Sequence, residues 1–320
     1  MMMSIAKHHD QIPDRINSVS VVSGAAVEGY GEDSHAYGFG AQFGYTAVFD
    51  GCGTVGSAIY PRFSGQTGAY LASRIAATAA VDWFAQIDFE HGLSVSEMSA
   101  SYRSIFDDYV TQFDELAEDH QQDSVRFPCS GLLCGFDFRN PNALGCSLVW
   151  AGDCRAYILD KKGLAVLTRD DVKHDGELAV KDETELSNYL QCGKYRLNQR
   201  ELTCDLPAIF LNATSGCYRV FPKPAELEFM VLFTLVRSKS VSQWESSMKT
   251  FLQTATNDDF TLAVTAVGFR DFDAMREYFT ARLNTLRDTV IDPLKQEDLD
   301  EQTSHDILEA YYKEYQRYFG

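Results

Sequence analysis

Basic side chains are scarce in this chain of 320 residues. Its 28 Lys and Arg residues stand against 46 Asp and Glu residues, which gives a formal net charge of −18. No stretch gathers enough basic residues to form a local patch. Because a strongly acidic surface repels polyanions, we expect neither nucleic acid nor a membrane among the partners. The acidity suits a protein that gathers divalent cations, although a solvated surface is the more common explanation.

Long apolar runs and paired cysteines are also missing. The longest apolar run, FMVLFTLV, is too short to span a bilayer, and the amino terminus lacks the apolar centre of a signal peptide. None of the eight cysteines forms a Cys-x-x-Cys pair, which argues against a zinc ribbon or a thioredoxin-like site. We therefore expect a cytoplasmic protein in which cysteines such as Cys134 serve as small apolar residues.

The sequence contains regular segments of both kinds. β-branched and aromatic runs predict strands, and apolar residues at helical spacing predict helices. The predicted strands are 19–23, 45–49, 131–138, 146–152, 155–159, 164–168, 208–212 and 260–269, and the predicted helices are 64–87, 94–116, 226–237, 242–254, 271–290 and 306–319. Ser-x-x-Glu patterns at Ser94 and Ser242 predict where two of these helices begin. Bunched strands with paired helices favour an α+β fold over an alternating βαβ sheet.

One glycine-rich stretch raises a question about chemistry. In YTAVFDGCGTVGS, Asp50 ends a strand-like run and a Gly-x-Gly-x-x-Gly pattern follows at once. A dinucleotide-binding loop must run directly into a helix, whose N-terminal N–H groups bind the pyrophosphate. Here Pro61 and Gly65 interrupt any helix that begins after the loop, and a carboxylate before the glycines would repel a phosphate. A nucleotide-binding oxidoreductase is therefore the weakest alternative.

Acidic pairs elsewhere in the chain offer partners for Asp50 in a metal site. Glu32 and Asp33 lie in GYGEDSH, and Asp258 and Asp259 lie in TNDDFTL, each pair next to a strand-like segment. Hard cations such as Mg²⁺ and Mn²⁺ take oxygen ligands of this kind. If the sheets bring these pairs together with Asp50, they form a metal site; otherwise they are solvated turns.

Five segments, in order, resemble the successive motifs of the protein phosphatase 2C family, the metal-dependent PPM-type Ser/Thr phosphatases. They are GEDSHAYGFG, AVFDGCG, SLVWAGDCRAYIL, LAVLTRDD and NDDFTLAVTAVGF, and the resemblance covers about residues 18 to 269. It implies a four-layer α-β-β-α sandwich of two antiparallel sheets flanked by helices, with the metal site at one end. Asp153 and Arg155, in the third segment, are expected to form a structural pair that fixes a turn.

The resemblance also implies the residues of the site and their roles. Asp50 would bridge two Mn²⁺ or Mg²⁺ ions, the Gly51 carbonyl would bind one ion, and Asp258 would ligate one directly. Glu32 and Asp33 would contact the ions or their waters, so that Asp50 and Asp33 are the expected catalytic residues. A metal-bound hydroxide would attack a phosphoserine or phosphothreonine of a protein substrate, and no protein nucleophile is required.

Three positions depart from the family's pattern. Ser215, in LNATSGCYRV, stands where a metal-ligating Asp is expected, and its neutral hydroxyl is a poor ligand for Mg²⁺. Glu28 replaces an Arg that binds the substrate phosphate, and Cys52 replaces a His that acts as a general acid. Two hypotheses remain open. The chain is either a metal-dependent Ser/Thr phosphatase, with Asp259 or water compensating for Ser215 or with one ion weak or absent, or a pseudophosphatase that serves as a binding or regulatory module.

Two regions have no role in this resemblance. It implies a phosphatase-like domain over residues 1–269 and a C-terminal helical extension over residues 270–320. Aromatic stripes on the two C-terminal helices are expected to cover the edge of the sandwich, and binding of a partner is the alternative. Residues 172–206 are polar and mixed, and they carry no recognisable pattern where a substrate-reading flap would lie.

Overall fold

The structure, a computed structural model, describes residues 15–87, 94–117, 125–173, 185–296 and 298–319. Within these ranges the longer strands form two five-stranded antiparallel sheets, and a short two-stranded ribbon stands apart. The region predicted to hold a substrate-reading flap lies partly outside the described residues, at 174–184.

The two sheets draw their strands from distant parts of the chain. In chain order the strands are β1 (Ile16–Gly24), β2 (Ser34–Phe39), β3 (Phe43–Gly51), β4 (Ile59–Tyr60), β5 (Gln66–Thr67), β6 (Cys129–Asp137), β7 (Leu144–Ala151), β8 (Arg155–Asp160), β9 (Gly163–Val166), β10 (Asn198–Cys204), β11 (Ala208–Ala213) and β12 (Phe260–Val267). One sheet has the order β1-β12-β11-β8-β9 and the other has the order β10-β7-β6-β3-β2. The ribbon consists of β4 and β5.

Helices cover the outer face of each sheet. They are α1 (Gly68–Gln86), α2 (Val95–Ala117), α3 (Ser215–Tyr218), α4 (Pro224–Arg237), α5 (Val241–Ala255), α6 (Phe272–Leu286) and α7 (Glu301–Tyr315), with single 3₁₀ or π turns at Pro61–Phe63, Arg287–Ile291 and Pro293–Lys295. None of the helices in the described part of the chain is both long and apolar enough to cross a bilayer.

Three apolar cores separate the four layers. The core between the two sheets contains Phe136 and Phe210, one from each sheet. A second core, with Trp83, lies between α1, α2 and the sheet that contains β3. The third, with Trp244 and Phe279, lies between the other sheet and α4, α5, α6 and α7. This arrangement confirms the predicted α-β-β-α sandwich with C-terminal helices.

A buried polar contact joins the two sheets. The side-chain amide of Asn212 on β11 donates to the Thr46 hydroxyl on β3 at 2.8 Å and to the Thr46 carbonyl at 3.2 Å. Both residues are about 1% exposed. Because an unpaired buried amide is costly, this contact favours one relative position of β3 and β11.

Most predicted strands and helices are confirmed, with differences of a few residues at their ends. Strands β2 and β10 were not predicted. The predicted start of α2 is confirmed, since the Ser94 hydroxyl accepts a hydrogen bond from the Glu97 N–H at 3.3 Å. The prediction of Ser242 for α5 was wrong. The cap is Ser240, whose hydroxyl accepts a hydrogen bond from the Gln243 N–H at 3.2 Å.

The two C-terminal helices contact the helical layer next to them. Arg282 of α6 forms a bidentate ion pair with Glu228 of α4, at 2.6 and 3.1 Å, and the Tyr311 hydroxyl of α7 donates to the same carboxylate at 2.9 Å. Glu228 is fully buried, and Tyr311 belongs to the same apolar core as α4. These helices therefore help to cover one sheet. The division of the chain at residue 269 and partner binding by these helices stay predictions.

Candidate metal centre

The acidic residues singled out in the sequence lie at one end of the sandwich, on segments from both sheets. Glu32 and Asp33 precede β2, Asp50 lies at the end of β3, and Asp258 precedes β12 of the other sheet. Burial raises the pKa of Glu32, Asp33 and Asp50, and neighbouring carboxylates add to it, since Asp258 raises the pKa of Glu32 and of Asp50 and Asp50 raises that of Asp33. The fold thus brings together residues that are more than 200 positions apart in the chain.

Asp50 is hydrogen-bonded by the residue that replaces the expected metal ligand. The Ser215 hydroxyl and the Ser215 N–H both donate to Asp50 Oδ2, at 2.7 and 3.1 Å. Among the described residues no hydrogen bond reaches Asp50 Oδ1. Burial and the nearby Asp153 carboxylate together raise the pKa of the Asp50 carboxyl to about 7, against the lowering effect of the two bonds from Ser215.

Asp33 has one satisfied and one unsatisfied oxygen. The Thr214 hydroxyl donates to Asp33 Oδ2 at 2.7 Å, whereas Oδ1 is buried and has no partner in the described part of the chain. Burial raises the pKa of Asp33 well above its usual value, and the neighbouring Asp50 raises it further. A buried carboxylate oxygen without a donor is costly, so this position is suited to a cation.

Glu32 is held beside the glycine-rich loop. Its carboxylate accepts a hydrogen bond from the Thr67 hydroxyl at the start of α1, and burial raises its pKa. A side chain at Gly53 would place its Cβ 2.5 Å from Glu32 Oε2. Gly53 therefore makes room for a carboxylate, and between the loop and the start of α1 at Gly68 the chain forms only a short ribbon and a single 3₁₀ turn at Pro61–Phe63. This geometry argues against the nucleotide-binding interpretation.

Asp258 and Asp259 have different environments. Asp259 accepts hydrogen bonds from the N–H groups of Ala26 and Glu32, at 2.7 and 2.6 Å. Both of its oxygens therefore hold the chain segment that carries Glu32, and the hypothesis that Asp259 compensates for Ser215 is not supported. Asp258 is exposed, and burial of its carboxyl still raises the pKa.

Asp153 is neutralised by a residue that sequence reasoning missed. The Ser130 hydroxyl donates to Asp153 Oδ1 at 2.7 Å, and the Arg219 guanidinium and the Tyr218 hydroxyl donate to Oδ2 at 2.7 and 3.2 Å. The predicted pairing of Asp153 with Arg155 was wrong. Arg155 binds Asp170 instead, at 2.7 Å.

The site thus has two halves with Asp50 between them. We call Glu32, Asp33 and Asp258 the acidic half, because none of them forms an ion pair with another described residue. We call Asp153, Ser215 and Arg219 the neutralised half. The only clue to Arg219 in the sequence is its place four residues after Ser215.

The two remaining predicted groups lie in the glycine-rich loop. The Gly51 carbonyl, a predicted metal ligand, accepts a hydrogen bond from the Gly53 N–H at 2.8 Å. Burial raises the pKa of the Cys52 thiol well above its usual value. Cys52 therefore stays protonated at neutral pH and is a poor general acid.

The fit of this site to a metal ion differs between its halves. No three His, Cys, Asp or Glu side chains in the described ranges converge closely enough to form a ready-made metal site. Hydroxyl and backbone donors instead satisfy most of the carboxylate oxygens. The unpartnered Asp33 Oδ1 and the free Asp50 Oδ1 are hard oxygen ligands that fit a divalent cation in the acidic half.

No family profile and no curated protein sequence matches the chain. Solved structures do. A serine/threonine phosphatase of Mycobacterium tuberculosis, PstP, has 17% identity and a TM-score of 0.56 over 79% of this chain and 99% of its own. The structure of the PstP catalytic domain with two manganese ions has 18% identity and a TM-score of 0.52, over 79% of this chain and 98% of its own. A serine/threonine phosphatase of S. agalactiae has 12% identity and a TM-score of 0.58, over 78% of this chain and 99% of its own. The chain therefore shares the fold of these phosphatases.

Proposed function

We propose that this chain is a divalent-cation-dependent phosphatase that hydrolyses phosphoserine or phosphothreonine esters of proteins. The observation that carries the proposal is the placement of Glu32, Asp33, Asp50 and Asp258 at the same end of the sandwich, with Asp33 Oδ1 buried and without a partner among the described residues. The shared fold supports it, since PstP is a serine/threonine phosphatase whose catalytic domain binds manganese.

The acidic half and Asp50 would hold the cation. A Mn²⁺ or Mg²⁺ ion bound there supplies positive charge to the phosphoryl oxygens and lowers the pKa of a coordinated water. Thr214 orients Asp33 through its hydroxyl, and Ser215 orients Asp50 through two hydrogen bonds. The segment of Glu32 is fixed by the bond from its N–H to Asp259. These contacts limit the motion of the ligands before a cation binds.

Hydrolysis of p-nitrophenyl phosphate tests the proposal. We expect Mn²⁺-dependent turnover by the chain as it stands, and a loss of about 100-fold or more in Asp50→Asn, because the substitution removes a charged ligand. Asp108→Asn is a matched control, since Asp108 is exposed on α2 and its loss should leave the rate unchanged. Turnover that persists in Asp50→Asn, or that needs no divalent cation, would contradict the proposal.

A pseudophosphatase that binds other proteins is the second candidate. The ion pair of Arg219 with Asp153 and the bonds from Ser215 to Asp50 favour it, because they fill carboxylate oxygens without a metal. If Ser215→Asp gains Mn²⁺-dependent turnover while the unsubstituted chain has none, the scaffold is intact and inactive in its present form. If both are inactive and neither binds Mn²⁺, the binding-module function is favoured.

A further inference from the structure

Ser215 occupies the side of Asp50 that faces the other sheet. A carboxylate oxygen has two lone-pair positions. On Asp50 Oδ2 the Ser215 hydroxyl and the Ser215 N–H fill both, at 2.7 and 3.1 Å. Asp50 therefore has only Oδ1 available for a cation. Because Oδ2 is already occupied, Asp50 cannot bridge two ions with one oxygen on each.

Arg219 forms an ion pair with Asp153, the other carboxylate on that side that could bind a cation. Its guanidinium lies 2.7 Å from Asp153 Oδ2, and Asp153 is nearly fully buried while the Arg219 side chain is 40% exposed. A positive charge fixed at this point repels any divalent cation that approaches Asp153.

We infer that the site takes a single divalent cation in its acidic half, and that Arg219 and Ser215 exclude a second ion from the neutralised half. The inference rests on the proposed function, because it concerns the same cation. It departs from the two-ion centre that the sequence resemblance implies. In this arrangement Arg219 replaces the second ion with a single positive charge, held by its ion pair with Asp153 and by its place at the end of the short helix α3 (Ser215–Tyr218).

Manganese titration of the metal-free chain of 320 residues tests this inference. Electron paramagnetic resonance counts free Mn²⁺ and also distinguishes an isolated bound ion, which keeps a six-line spectrum, from a pair of coupled ions. We expect one bound ion with a six-line spectrum. The double variant Ser215→Asp, Arg219→Ala restores a carboxylate and removes the cation. We expect it to bind a second ion at least about tenfold more tightly than the unsubstituted chain.

Two variants serve as controls. Arg270→Ala removes the same charge from an exposed position, since the Arg270 side chain is 79% exposed, and it should still bind one ion. Arg219→Lys keeps a positive charge and should also bind one ion. Circular dichroism on each variant confirms that it is folded, and the stoichiometry of the unsubstituted chain needs no variant at all.

The possible outcomes separate this inference from the proposed function. Two tightly bound ions in the unsubstituted chain would overturn the inference and leave the proposed phosphatase intact. A folded double variant that still binds one ion would also overturn it, because Ser215 and Arg219 would then not be the cause. An absence of Mn²⁺ binding in both the unsubstituted chain and the double variant would overturn the proposed metal dependence itself.

Discussion

The two halves of the site contain similar carboxylates in opposite electrostatic situations. In the neutralised half, Asp153 has a guanidinium at 2.7 Å and a hydroxyl on its other oxygen. In the acidic half, Asp33 has one hydroxyl and a bare buried oxygen. If the inferred single-cation site is right, the capacity of such a site for cations follows from which carboxylate oxygens remain unpaired, and a count of acidic residues does not give it.

The largest effect that we expect from this contrast is the stabilisation of the folded chain by Mn²⁺. A ligand that binds only the folded chain stabilises it by about 2.7 kcal/mol when its concentration is 100 times the dissociation constant. We expect a stabilisation of this size at neutral pH, and we expect Asp50→Asn to abolish it. Thermal unfolding with Mn²⁺ and with a chelator measures both. An equal increase in Asp108→Asn and Asp50→Asn would mean that the ion binds elsewhere.

The pH dependence of the metal-free chain tests the same contrast. The Asp50 carboxyl has a pKa of about 7 in the folded chain and about 3.9 when unfolded. The folded chain therefore binds the Asp50 proton more tightly, so the contribution of Asp50 to stability is fully present below a pH of about 4 and is lost as pH rises from about 4 to about 7.

Asp50→Asn should flatten this decrease by at most about 1.4 kcal/mol per pH unit. Urea unfolding in a chelator at pH 5 and pH 7 measures the effect. If the unsubstituted chain and Asp50→Asn lose stability in parallel, the pKa of Asp50 is not raised by its surroundings.

Asp33→Asn should separate stability from cation binding. It removes a buried charge with an unpaired oxygen while its remaining oxygen can still accept the bond from Thr214. At alkaline pH, above the raised pKa of Asp33, we expect the metal-free chain to become more stable by about 1 to 2 kcal/mol because the substitution removes that charge, and we expect Mn²⁺ to bind more weakly. Urea unfolding and Mn²⁺ titration of the same preparation measure both. A less stable Asp33→Asn at this pH would contradict the expectation that the charge on Asp33 is uncompensated in the metal-free chain.

The smallest expected effect lies in the neutralised half. Ser130→Ala removes the hydroxyl bonded to Asp153 Oδ1 but leaves the ion pair with Arg219. We expect a loss of about 1 kcal/mol in stability and no change in Mn²⁺ affinity. Mn²⁺ titration provides the decisive measurement, because a weaker affinity would mean that Asp153 takes part in cation binding.

Sequence patterns predicted the architecture better than the contacts of the site. Strands such as β3 and β12 are buried along almost their whole length. Because a buried strand is rich in β-branched and aromatic residues, the composition of these segments predicted them as strands. Strand β10 was missed because alternate residues of its polar sequence are exposed at a sheet edge.

Arg219 was missed for a different reason. Its partner Asp153 lies 66 positions earlier in the chain, and only the antiparallel pairing of β8 with β11 brings the two segments together. The roles of the predicted ligands Asp50, Gly51, Asp258, Glu32 and Asp33 stay predictions. Local patterns therefore identify candidate residues, whereas the tertiary fold decides which of them are already paired.

The Asn212–Thr46 contact has a consequence for how such a site can be tuned. Asp50 comes four residues after Thr46 on one sheet, and Ser215 comes three residues after Asn212 on the other. The distance between Asp50 and Ser215 therefore depends on the relative position of the two sheets. Substitutions that change side-chain volume in the core between the sheets would therefore change the distance between Asp50 and Ser215 without contacting either residue.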